Sequence, residues 1–246
     1  GTATFDGVTQ FMSDANNIPN NLGDALINST VMTVTTDVTF TSVQISSASV
    51  TIINSNKSFI TNGALTIAGE LEMADGSVVD AGGDVTVSGT LDMDGSSRLK
   101  MEENLSFNGA MEASNTSRID LDGFSLQTIS GSTTPAFNSL FCSSSSTVFS
   151  LTATIEDSLD AGGEDFTISS GKTLTMNAGS VTRVSGGTWN LSALGATLTL
   201  DATSKFLYDT AANATLTGPG VTYGIIEHAG GELTQTGALN VAGIFT

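Results

Sequence analysis

The 246 residues include one cysteine, one histidine, one tryptophan, three prolines and seven basic side chains. A single thiol, Cys142, excludes an intramolecular disulfide framework. Standing beside four serines, it reads as a small strand or corner residue rather than a nucleophile, because nothing in its sequence neighbourhood would activate it. A single imidazole, His228, excludes a multi-histidine metal site within one chain. It also leaves Ser-His-Asp catalysis one candidate base, with no Gly-x-Ser-x-Gly elbow to serve, and it reads instead as a polar residue entering the Ala229-Gly230-Gly231 turn. Seven Lys and Arg against 25 Asp and Glu give a net charge of −18, which repels nucleic acid and anionic lipid. No apolar run approaches the roughly 18 residues of a membrane span, so no membrane insertion is expected. No signal peptide pattern opens the chain, and Gly1-Thr2-Ala3-Thr4-Phe5 already reads as strand, so a mature or excised piece is expected.

What is present is a repeat. From Gly63 to Asp122 the sequence falls into rows of twenty residues. Leu65, Val85 and Leu105 share a column, as do Ile67, Val87 and Phe107, then Gly69, Gly89 and Gly109, then Leu71, Leu91 and Met111. Ser77, Ser97 and Ser117 align further along, followed by Val79, Leu99 and Ile119. A fixed period of this size is the signature of a solenoid. Within a row, apolar residues alternate at period two, as in strands. Each row holds three short strands (Leu65–Ile67, Leu71–Met73 and Val78–Asp80), parted by Gly69, Asp75-Gly76 and Gly82-Gly83. These glycines are expected to supply positive φ at the corners. The fold class is therefore all-β, a parallel β-helix (β-solenoid) of roughly three strands and about 20 residues per coil. A solenoid has no natural internal boundary, so residues 1–246 are expected to form one domain. Residues 6–28, turn-rich and without alternation, are read as a loop or short helix inserted near one end. Between Phe124 and Asp157 the register drifts.

Several phrases carry a resemblance. Ser13-Asp14-Ala15-Asn16-Asn17 is followed by Ile18-Pro19 and the short strand Ala25-Leu26-Ile27-Asn28. Gly63-Ala64-Leu65-Thr66-Ile67 recurs near the end as Gly237-Ala238-Leu239-Asn240-Val241. Gln127-Thr128-Ile129-Ser130-Gly131 precedes Ala136-Phe137-Asn138-Ser139-Leu140. In these the chain resembles the secreted β-helical surface proteins of Bacteroidota and other environmental bacteria, relatives in style of filamentous-haemagglutinin adhesins. Phe11 stands where those proteins place a Trp near the opening loop. The resemblance implies a right-handed helix and an extracellular or cell-surface location far more than it implies an activity.

Four patterns bear on chemistry. Glu72, Asp92 and Glu112 recur at the repeat period on the outward phase, and stacked carboxylates either stay hydrated or are bridged by an oxygen-liganded cation such as Ca2+. No other cofactor is expected. Arg98 and Arg118 share one outward column and Lys100 stands between Asp80 and Asp120 in another, which reads as a charge ladder along the stack. β-Helical polysaccharide lyases and hydrolases cluster Asp with basic residues on one face, and the few cations here do not suit that arrangement. Trp189, Tyr208 and Tyr223 are the Trp and Tyr residues available for stacking on sugars, although core packing also accounts for them. Thr-x-Thr pairs, among them Thr173/Thr175 and Thr197/Thr199, invite an ice-binding reading, which requires two threonine columns on the same strand of successive coils. In the regular rows only Thr66, Thr86 and Ser106 qualify, and their partners are Ala64, Asp84 and Asn104.

Architecture itself is then the expected function: a spacer, adhesin stalk or self-assembling fibre subunit without catalysis. The alternative is a carbohydrate-binding or carbohydrate-degrading β-helix, with an ice-binding protein behind it. Leu239, Val241, Ile244 and Phe245 run to the end without a polar cap. The expected partner is therefore another copy, end to end, or adjoining repeats of a longer chain, with surface glycans as further candidates.

Overall fold

The computed structural model describes residues 1–12, 22–114, 116–143, 146–162, 165–185, 189–190, 196–208, 214–217, 222–223, 225–228, 233–236 and 240–241. Among them every element is a strand, no helix is long and apolar enough to cross a membrane, and the strand pairings are parallel. The fold is a β-solenoid. The chain divides into two compact units, Gly1–Asp120 and Leu121–Thr246.

The first unit follows the twenty-residue rows. Its first face stacks Thr2–Phe5, Asp24–Ile27, Ser42–Ile45, Leu65–Ile67, Val85–Val87 and Leu105–Phe107. The second face is a 6-stranded sheet of Thr9–Met12, Val31–Val34, Val50–Ile53, Glu70–Met73, Thr90–Met93 and Ala110–Ala113. The third face carries Val38–Phe40, Ser58–Thr61, Val78–Ala81, Arg98–Met101 and Arg118–Leu121. Two of the strands, Thr9–Met12 and Asp24–Ile27, fall in the stretch read as an insertion, and residues 13–21, which hold the Asp14-Ala15-Asn16 phrase and Pro19, lie outside the described residues. The row columns are the observed register: Leu65 pairs Val85 and Val85 pairs Leu105, and likewise Leu71 pairs Leu91 and Leu91 pairs Met111. Alternation sends Leu65, Ile67, Leu71, Val79 and Ala81 inward to 0% exposure. Each such Leu, Ile or Val side chain contributes about 1.5–3 kcal/mol relative to an exposed position.

The corners correct one expectation. Gly76 does sit at positive φ, 71°, in the turn Ala74–Ser77 closed by the Ser77 N–H donating to the Ala74 carbonyl at 2.9 Å. Gly69, Gly82 and Gly83 are not at positive φ. They are glycine because of close approach: a Cβ on Gly89 would collide with the Gly69 carbonyl oxygen, and one on Gly109 with that of Gly89. Stacking coil on coil, rather than turn conformation, writes the glycine column.

Corner aspartates tie successive coils together. The Ser58 N–H donates to Asp37 Oδ1 at 2.8 Å, the Ser96 N–H to Asp75 Oδ1 at 2.8 Å, and the Asn104 N–H to Asp84 Oδ1 at 3.0 Å. Each bond satisfies a backbone donor that the corner takes out of the ladder.

The second unit is also a parallel stack, with a less regular row. Ala153–Ala161 is a nine-residue strand whose front pairs with Thr173–Met176 and whose rear pairs with Val181–Val184. Two exposed residues, Glu156 and Asp157, replace the four-residue corner Asn177–Ser180 of the next coil, so two faces run together without a turn. This is the physical form of the register drift. Ala136–Cys142 pairs with the same strand through a shift between Phe137 and Ser139. The core here is aromatic. Phe166 stacks on Trp189 with centroids 4.7 Å apart and rings inclined by 6°, and Phe206 meets Trp189, Tyr208 and Tyr223 at 5.3–5.5 Å.

Candidate functional site

The acidic column assembles as the rows require. Glu72 pairs Asp92 and Asp92 pairs Glu112 on the second face of the first unit, at the strand spacing of about 4.8 Å. Flanking Leu71, Met73, Leu91 and Met93 are buried, so the carboxylates point outward; Glu72 and Asp92 are half-buried and Glu112 is exposed. Two further acids join them. Glu70 and Asp94 raise the pKa values of Glu72 and Asp92 above the ordinary carboxylate range, after partial burial, which is the first cause for both. The twenty-residue column does not reveal Glu70, because its own column continues as Thr90 and Ala110. Among the described residues no group of three or more His, Cys, Asp or Glu could hold a metal ion. In-register parallel strands offer a reason: they carry equivalent side chains side by side and do not converge them on a point.

The basic ladder forms, with different partners. Lys100 Nζ pairs with Asp80 Oδ2 at 3.2 Å. Asp120 is taken by the other column: Arg98 Nε donates to its Oδ2 at 3.0 Å, and Arg118 Nη2 donates to the same oxygen at 3.1 Å. The Asp120 side chain is 2% exposed, whereas those of Arg98 and Arg118 are 41% and 36% exposed. The cluster closes a buried carboxylate against two guanidiniums.

The aromatic residues point into the core. Trp189, Tyr208 and Tyr223 are 0%, 0% and 1% exposed, so no sugar-stacking platform is built from them. Burial pushes the Tyr223 hydroxyl up to about 12 and raises that of Tyr208 further, with the Tyr223 charge a lesser cause for Tyr208. Cys142 forms no disulfide and is buried at 1% exposure, a strand residue as its sequence implies. His228 ends the strand Ile225–His228 opposite Tyr208, and the turn after it lies outside the described residues. The later repeat of the Gly63 phrase is described only at Asn240–Val241.

The first face of the first unit bears a shallow groove of about 360 Å³, lined by Thr2, Asp24, Leu26, Ser42, Gln44 and Thr66 among others. Its groups are small and mostly uncharged, and the Ser42 hydroxyl donates to Asp24 Oδ1 at 2.8 Å. The single threonine column runs out of it: Thr66 pairs Thr86 and Thr86 pairs Ser106.

Comparison with protein-family models, curated proteins and solved structures finds no match to this chain. Its own register defines it as a β-helical repeat protein, and its polar chemistry lies along the outward columns of the coils.

Proposed function

We propose that this is an extracellular or cell-surface structural protein, a spacer, adhesin stalk or fibre subunit that carries out no catalysis. The observation that carries the reading is register. On the second face of the first unit, pairing passes from Val31 to Val50, Glu70, Thr90 and Ala110 without a shift. Such a stack resists bending because each coil is hydrogen-bonded to the next along its length. The polar residues of the regular rows support the same reading, since Asp37, Asp75, Asp84, Asp80 and Asp120 are engaged in ties between coils or between neighbouring outward columns. The net charge of −18 suits a hydrated surface in salty water. The partner is a further copy or an adjoining repeat, joined by strand addition at a coil edge.

Negative-stain electron microscopy of the purified chain, with and without a calcium chelator, tests this. Long uniform filaments support the fibre subunit, and their loss on chelation shows that assembly requires a divalent cation. Short rods that bind no second copy favour the spacer or stalk. Globular particles without a long axis overturn the reading, and turnover of a polysaccharide by the same preparation overturns the absence of catalysis.

A further inference from the structure

In the Leu121–Thr246 unit, along the start of Ala153–Ala161 and the strands Thr173–Met176 and Thr197–Leu200, threonine pairs from successive coils fall into two columns. Thr154 pairs Thr175 and Thr175 pairs Thr199, while Thr173 pairs Thr197. Thr152 extends the second of these columns: its Oγ1 accepts a hydrogen bond from the Thr173 N–H at 3.3 Å. The intervening residues Ala153, Leu174 and Leu198 are buried at 3%, 0% and 2% exposure, which fixes the threonines on the outward side. Thr197 and Thr199 are exposed, and the other four are half-buried, as expected for the interior of a sheet. The pairs recur at 21 and 24 residues, so the twenty-residue rows do not bring them together.

The result is a two-by-three array of identical groups with no charge in either column. Its repeats are about 4.8 Å from coil to coil and about 6.6 Å along each strand. Threonine is stiff at χ1 because its Cβ is branched, which limits the positions that its hydroxyl and methyl can take above the sheet. An array of this kind has no point of convergence for a small ligand, no charge for an ionic one and no aromatic face for a sugar. What it matches is a partner that is itself periodic, rigid and made of hydrogen-bonding groups with apolar gaps between them. Ordered water has that form: hydroxyls can occupy oxygen positions of the lattice while methyls fill the spaces between.

We propose that the Thr152/Thr154, Thr173/Thr175 and Thr197/Thr199 array binds the surface of ice, with lattice water as its ligand. Ice crystals grown in the full chain are expected to become faceted and to show thermal hysteresis. Thr175→Tyr, at the centre of one column, is expected to lose most of that hysteresis. Thr86→Tyr, on the other unit's single threonine column, is expected to keep it. If Thr175→Tyr alters the circular dichroism of the sheet, the exposed Thr199→Lys reads the same face with less risk to the fold. Round, freely growing crystals in the wild-type chain overturn the proposal. Hysteresis that survives both substitutions at properly folded array positions also overturns it, because the activity then belongs to another face.

Discussion

Arg98 reaches past its own column to Asp120, donating from Nε at 3.0 Å, and Arg118 joins the same carboxylate. Asp120 is the buried member at 2% side-chain exposure, so the cost of breaking the cluster depends on which charge is left behind. Replacing both arginines by Met strands a carboxylate without its cations, and a loss of about 3–5 kcal/mol is expected. Separating Lys100 from Asp80, both partly exposed, is expected to cost at most about 1 kcal/mol. Urea titrations of Arg98→Met/Arg118→Met and of Lys100→Met measure the difference. Equal losses would mean that the Asp120 cluster is solvated and has no special weight.

The rows make the first unit legible almost residue by residue, because one coil buries the same positions as the next and the columns are the register. What the rows hide has physical causes. Asp120 takes both arginines because those side chains are long and flexible enough to cross columns, and a column alignment assigns neighbours only along itself. Glu70 belongs to the acidic face although its own column is not acidic, because electrostatics acts across columns. In the second unit, Glu156 and Asp157 shorten a corner, change the period and disguise the stacking of Thr154 on Thr175. Trp189 faces inward because it stacks in register on Phe166, itself a core residue. Its side chain alone would have served a sugar platform equally well.

Two glycines separate close approach from backbone conformation. Gly89 is not at positive φ, but a Cβ there would strike the Gly69 carbonyl of the preceding coil. Gly171 is at φ 68°, and a methyl group added to it would meet nothing within 4 Å. Gly171→Ala is expected to cost about 1–2 kcal/mol, the left-handed penalty alone. Gly89→Ala is expected to cost roughly 1–3 kcal/mol or more, because backbone must move in two coils. Thermal unfolding of the two variants checks the order, and a milder Gly89→Ala would mean that the coils part easily.

Trp189 is the one tryptophan, stacked on Phe166 at 4.7 Å and fully buried, so its fluorescence reports the aromatic core of the second unit. Its emission is expected to be blue-shifted, poorly quenched by acrylamide and unmoved by soluble glycans. Trp189→Ala is expected to cost about 3–5 kcal/mol through the cavity it leaves. Strong quenching, or a shift on adding a polysaccharide, would place the indole at the surface and revive sugar stacking.

The acidic face gives the stability curve a defined sign. Partial burial and neighbouring acids raise Glu72 and Asp92 above their ordinary values of 4.5 and 3.8. A carboxyl whose folded pKa lies above its unfolded pKa binds more protons when folded, so its stabilising contribution is complete below the unfolded value and is lost as pH rises through the folded one. Asp75 has the opposite shift. The Ser96 backbone and hydroxyl donors hold it below 3.8, so its contribution is present above that value and lost as pH falls through the lower one. Unfolding free energy is therefore expected to rise as pH drops from neutrality towards the ordinary carboxylate range, then to fall in stronger acid. Glu72→Gln/Asp92→Asn should flatten the upper limb and leave the lower one, while Asp75→Asn should weaken the lower limb alone. Denaturant titrations across this range read both limbs. An upper limb unchanged in Glu72→Gln/Asp92→Asn would show that repulsion in the column is already relieved, by hydration or by a bound cation, and repeating the titration in chelator separates those two causes.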